Sequence, residues 1–214
     1  MPVFIFDMDG TLTDTNHHWR SYAKYYMEGV GMTPPENHMR RSYELGIPAH
    51  CAELVETYHL DITPEALWDW HFAKMADYYA VSDVKRDVVE FLEKAKQQGI
   101  KMAIATATPH HLCDPFLKRI GLWDYFDLIY TTDQWNTTKD KPDLFLRCCE
   151  ELGGTPDQAV IFEDAKYAIE TAYKAGLYCI GIEEPTEINA ETVKRLANQY
   201  VVNYADIDWS KLPK

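Results

Sequence analysis

Three short apolar runs in this sequence each end in residues able to do chemistry, and a lysine before a helix start adds a further signal. Residues 3–6 lead directly into Asp7-Met8-Asp9-Gly10-Thr11. Side chains two apart on an extended chain project to the same side, so Asp7 and Asp9 share one face at a strand's carboxyl end. Gly10 lets the backbone turn sharply straight after them. That end of a parallel strand is where α/β sheets build ligand sites. The run 102–105 leads into Thr106-Ala107-Thr108, placing a hydroxyl and free backbone N–H groups where they suit phosphate oxygens. A third signal is Lys139-Asp140-Lys141-Pro142-Asp143, in which Pro142 and Asp143 open a helix and a lysine precedes it. The run 159–162 is followed by Glu163-Asp164. Each signal alone has a plainer reading: an acidic turn, a β-branched strand residue, a solvated charge, a helix cap. Together they recur in one order, each at a strand's carboxyl end.

The elements that carry these residues follow from the pattern around them. Runs 3–6, 102–105, 128–130, 159–162 and 178–182 are apolar without alternation, as strands buried on both faces must be. Helical patterns over 83–98, 142–152 and 165–175 separate the later runs, closing at Gly99, Gly153 and Gly176. The expected fold is therefore α/β, a doubly wound, Rossmann-like parallel sheet. About seventy residues after the first strand break the rhythm and read as helices near 17–30, 36–45, 49–58 and 64–79. So long a stretch is no simple crossover. It predicts an all-helical domain over 15–81, inserted into a core domain formed by 1–14 and 82–214.

Composition narrows the function classes. The chain has 214 residues, 46% hydrophobic and 26% charged, with a formal net charge of −13. It is globular, and its acidity argues against binding nucleic acid or an anionic membrane surface. No stretch approaches the roughly 18 apolar residues that span a bilayer. The five cysteines are odd in number and form no C-x-x-C pattern, so reduced thiols in a cytoplasmic protein are expected. With no heptad or interface stripe, a monomer or weak homodimer is expected.

The ordered set Asp-x-Asp, Thr, Lys, Glu-Asp resembles the haloacid dehalogenase superfamily, in the subgroup with a helical cap after the first strand. The likeness is most specific in residues 6–12 and 160–176. It implies that Asp7 is a nucleophile forming an aspartyl-phosphate, and that Asp9 protonates the leaving alcohol and then activates water. It implies Mg²⁺ held by the Asp7 carboxylate, the Asp9 backbone carbonyl and Asp164, with Glu163 orienting its waters. Thr106 and the Ala107 N–H would cradle the phosphoryl group, and a lysine would neutralise it. The family's Lys-Pro-x-Pro-Asp pattern, anchored on Pro142-Asp143, favours Lys139 and keeps Lys141 in reserve.

The helical insert should hold specificity, with Arg40 and Arg41 as candidate substrate contacts among its cations Arg20, Lys24, Arg40, Arg41 and Lys74. Its Trp68, Trp70, Phe72, Tyr78 and Tyr79 are expected to pack rather than bind. The resemblance implies a Mg²⁺-dependent phosphatase for a small phosphorylated metabolite of the sugar phosphate or phosphoglycolate class. The alternative is a β-phosphoglucomutase-type phosphomutase, disfavoured because Asn16 and Trp19 stand where such mutases carry Glu and His. Least favoured is a phospho-accepting signalling module, whose acidic pair would precede the phospho-accepting aspartate.

Overall fold

The computed structural model describes residues 2–214. The chain divides into two compact units, one of residues 1–14 with 83–214 and one of residues 15–82. In chain order the elements are β1 (Val3–Phe6), α1 (Asn16–Arg20), α2 (Tyr22–Gly29), α3 (His38–Leu45), α4 (Ile47–Tyr58), α5 (Pro64–Tyr79) and α6 (Val88–Gln97). There follow β2 (Lys101–Thr106), α7 (His110–Arg119), β3 (Leu128–Thr131), α8 (Thr132–Trp135), α9 (Asp143–Glu151) and β4 (Ala159–Glu163). The chain ends with α10 (Lys166–Lys174), β5 (Tyr178–Ile182), α11 (Ala190–Leu196) and β6 (Gln199–Val201).

The first unit is a six-stranded sheet in the order β3-β2-β1-β4-β5-β6, every pairing parallel. The α/β reading from sequence holds. Successive residues of β1 serve opposite faces. Val3 and Ile5 join a core with Ala103, Phe145, Ile161, Ile169 and Cys179. Phe4 and Phe6 enter an aromatic layer on the other face, where Phe6 and Phe162 stack at 4.1 Å and Phe4 lies 5.9 Å from Phe91. Both faces being covered, the strands need apolar residues at every position. All five cysteines are buried and free.

The order reverses at β1, which has β2 on one side and β4 on the other. That reversal opens a crevice at the carboxyl ends of the strands. The registers Phe6↔Ile104 and Phe6↔Phe162 bring the ends of β1, β2 and β4 level, and the Asp7 N–H donates to the Phe162 carbonyl at 2.9 Å.

Several elements differ from the sequence reading, which placed no helix at α7, α8 or α11. The helix expected from residue 83 begins at Val88. Val84 bridges Thr13, the Lys85 N–H donates to the Leu12 carbonyl at 2.8 Å, and Asp87 is left-handed with φ 62°. The segment before it is spent on pairing with the loop after β1. The helix expected over 17–30 is split at Ser21, where a tight turn returns the Ser21 N–H to the His18 carbonyl at 3.2 Å. Strand β6 carries no apolar run and was not expected.

The second unit is helical among its described elements. Tyr22, Met27, Cys51, Leu54 and Leu67 form its buried centre. Its aromatic residues pack on one another: Trp68 meets Phe72 at 4.6 Å and Tyr26 meets Trp70 at 5.2 Å.

Candidate active site

Asp7 and Asp9 follow β1 as it leaves the sheet, and both are buried. A tight loop fixes them. Thr11, Leu12 and Thr13 donate their N–H groups to the Met8 carbonyl, and Gly10 takes φ 83°, which a side chain would disfavour. The Thr11 hydroxyl reaches across to donate to Asp164 Oδ1 at 3.0 Å. This one loop therefore holds three carboxylates in register.

Thr106 ends β2 and is buried, while Ala107 beside it is exposed. The Thr108 N–H donates to Thr106 Oγ1 at 3.1 Å, and the Thr108 hydroxyl donates to Asp9 Oδ2 at 2.5 Å. Thr108 thus ties the expected phosphate-binding turn to the expected general acid. It stands at a strand end with Thr106, but its partner lies 99 residues away in sequence, which no local pattern reports.

Lys139 lies before α9 and only 2% of it is exposed. Its Nζ donates to Asp7 Oδ1 at 2.5 Å and pairs with Glu163 Oε1. Burial works against the ammonium charge, but Asp7 and Glu163 outweigh it and hold the group charged well above its ordinary range. Lys141 is exposed. Of the two lysines left open by sequence, Lys139 is the one the structure brings to Asp7.

Glu163 and Asp164 end β4 with almost no exposure. Glu163 Oε2 accepts the Asp164 and Ala165 N–H groups, each at 3.0 Å. Burial, with Asp7 adding, raises the Glu163 carboxyl to about 7 against the opposing pull of Lys139. Asp164 is pushed well above the carboxylate range by burial and by Glu163, Asp7 and Glu184. These shifts mark a buried site with more negative than positive charge.

Asp7, Glu163 and Asp164 each bring one carboxylate oxygen to within 4.8 Å of the others. An all-oxygen donor set with surplus negative charge fits a hard divalent cation. The Asp9 side chain is outside this trio and is held by Thr108 instead.

Arg40 and Arg41 lie on α3 in the helical unit. Arg40 pairs with Glu44 at 2.8 Å, and Arg41 pairs with Glu44 at 2.8 Å and Glu53 at 2.6 Å. Tyr167, on the first turn of α10, was missed by the sequence reading. It is 44% exposed. No helix of the described residues is long and apolar enough to cross a membrane.

The geometry can be set beside known proteins. The profile of the haloacid dehalogenase-like hydrolases matches residues 4–182. The chain is 32% identical to a phosphorylated carbohydrates phosphatase of Thermotoga maritima, covering 83% of this chain and 82% of that one. It is 30% identical to the fructose-1-phosphate phosphatase YqaB of Escherichia coli K12, over 83% of this chain and 94% of that protein. Among solved structures, a Thermotoga maritima protein provisionally assigned as a beta-phosphoglucomutase superposes with a TM-score of 0.78 at 28% identity, covering 94% of each chain. A profile match over most of the chain and relatives of this identity and coverage place it: the chain belongs to the haloacid dehalogenase-like hydrolase family.

Proposed function

We propose that the protein is a Mg²⁺-dependent phosphatase acting on a small phosphorylated metabolite of the sugar phosphate or phosphoglycolate class, through an aspartyl-phosphate on Asp7. The single observation that carries this reading is the contact of Lys139 with Asp7 and Glu163 beside Asp164, at the switch point of the sheet. Relatives that are phosphatases of fructose 1-phosphate and of phosphoglycolate support the substrate class.

An anionic phosphate must approach an anionic nucleophile, so the site must cancel charge and fix positions. Asp7, Asp164 and the Asp9 carbonyl, with Glu163 alongside, would hold Mg²⁺, which would supply charge neutralisation and substrate alignment. Lys139 balances part of the Asp7 charge and the phosphoryl charge. Thr106 and the Ala107 N–H receive the phosphoryl oxygens. An Asp7 oxygen attacks phosphorus and the ester oxygen leaves, taking the proton that Asp9 delivers. Water then attacks the phosphorus of the acyl phosphate and gives its proton back to Asp9, releasing inorganic phosphate and restoring Asp7. The Thr108 hydroxyl keeps the Asp9 carboxyl in place through both steps.

A phosphate-release screen over sugar phosphates and phosphoglycolate, with Mg²⁺ and with EDTA, tests this. Release should require Mg²⁺ and vanish in Asp7→Asn and Asp9→Asn. Robust release by Asp7→Asn refutes the nucleophile. The structural likeness to the beta-phosphoglucomutase assignment favours a second reading, isomerisation of a sugar phosphate. Glucose 6-phosphate formed from β-glucose 1-phosphate faster than phosphate is released would establish it.

A further inference from the structure

Lys85 and Glu184 form an ion pair that the reaction above does not use. Lys85 Nζ donates to Glu184 Oε2 at 3.0 Å and to the Glu183 carbonyl at 2.8 Å. Glu184 Oε1 accepts the Thr186 N–H at 3.1 Å and the Thr186 hydroxyl at 2.9 Å. The side chains are 14% and 2% exposed, so this is a buried pair with its remaining valences filled. Burying a pair of charges gains little stability over apolar residues of the same size, since desolvation offsets the attraction. Its position suggests another use.

Two backbone connections place the pair beside Asp164. The register Glu163↔Gly181 sets the segment after β5, which carries Glu184, next to the segment after β4, which carries Asp164. The hydrogen bond from the Lys85 N–H to the Leu12 carbonyl sets Lys85 beside the loop whose Thr11 hydroxyl holds Asp164. Glu184, Asp164 and Glu163 are all buried at these neighbouring strand ends.

We propose that the Lys85–Glu184 pair is the electrostatic counterweight of the metal site: Glu184 strengthens the negative field at Asp164, Lys85 weakens it, and together they set how tightly a divalent cation is held. Both are positioning residues in the sense that they act through Asp164. The inference rests on the metal-dependent reading of the site and adds which residues tune it.

The test is calorimetric titration of the metal-free protein with MgCl₂ alone, at fixed pH and ionic strength and without substrate. Glu184→Gln leaves Lys85 uncompensated and should weaken Mg²⁺ binding roughly tenfold, as one charge does at this range in a partly screened interior. Lys85→Met leaves Glu184 uncompensated and should tighten it by a similar factor. Both should lower Tm, because each strands a buried charge. A merely structural pair would weaken binding in both variants. The double variant Lys85→Met/Glu184→Gln strands no charge, so it remains informative if a single variant does not fold. It should bind Mg²⁺ within about threefold of the unsubstituted protein. Shifts in the same direction, no shift in either single variant, or a loss beyond tenfold in the double variant overturns the proposal. Failure of the unsubstituted protein to bind Mg²⁺ would instead overturn the metal reading itself, and this inference with it.

Discussion

The α/β unit and the helical unit treat buried polarity in opposite ways. At the strand ends of the first, Asp7 and Glu163 hold Lys139, with Asp164 beside the two carboxylates, all with little exposure and more negative than positive charge. In the second, the cations Arg40, Arg41 and Lys74 lie on helix surfaces and are matched by Glu44, Glu53 and Asp77. The polar side chains that unit buries most deeply are neutral: His71 between Trp68 and Tyr22, each at 5.5 Å, and His50, whose ring nitrogen meets the Tyr22 hydroxyl at 2.5 Å. Burial lowers both histidines to about 4. A surplus of buried negative charge stores binding capacity for a cation. Buried neutral rings store only packing. The difference argues that the chemistry resides in the strand ends.

The harshest break of this contrast is Lys139→Met. It strands Asp7 and Glu163 without their shared cation, and a fall in kcat of about a thousandfold or more is expected, with a clear loss of stability. Lys139→Arg should not restore it, since a planar fork does not replace a point charge at two carboxylates. Phosphate-release kinetics read this, and activity within tenfold of the original would show that the lysine is dispensable.

Acid should separate the units next. His50 and His71 are neutral in the folded state and titrate near 6.5 when unfolded. The unfolded chain therefore binds more protons between about 6.5 and 4, and stability falls as pH drops through that window. The slope is about 1.4 kcal/mol per pH unit for each fully neutral histidine. Amide protection factors on α4 and α5, referred to the intrinsic exchange rate at each pH, should fall on acidification. His71→Leu should reduce that sensitivity, and an unchanged slope would remove His71 from the account.

A finer test is Thr108→Val, which keeps the shape and removes the hydroxyl on Asp9. We expect kcat to fall about tenfold with KM unchanged, and Thr108→Ser to recover most of it. A KM change without a kcat change would place Thr108 on the substrate instead. The smallest effect is expected from Arg41→Ala. Its guanidinium is already engaged by Glu44 and Glu53, so KM should stay within about twofold. A tenfold rise in KM would return the helical unit to direct charge recognition.

The strand ends were legible because a parallel sheet buried on both faces demands uninterrupted apolar runs, and the residues after each run stand out against them. Lys139 was distinguishable from Lys141 only through the family pattern, since both are lysines beside the same helix start. What escaped was long-range. Thr11 meets Asp164 across 153 residues and Lys85 meets Glu184 across 99, and neither pair leaves a local trace. The extended segment before Val88 was read as helix because its polarity fits either state, and pairing with Thr13 and Leu12 decided the outcome. Strand β6 is an edge strand of three residues, Gln199, Tyr200 and Val201, too short and too polar to announce itself.

The central claim is a covalent phosphoryl transfer to Asp7. Turnover with a hydrolysed substrate, quenched within milliseconds and treated with borohydride, would reduce an acyl phosphate to an alcohol and turn the aspartate that carried it into homoserine. Peptide mass spectrometry should find that conversion at Asp7, absent at Asp9 and absent without substrate. Conversion at another carboxylate, or none while phosphate is still being released, would contradict the account.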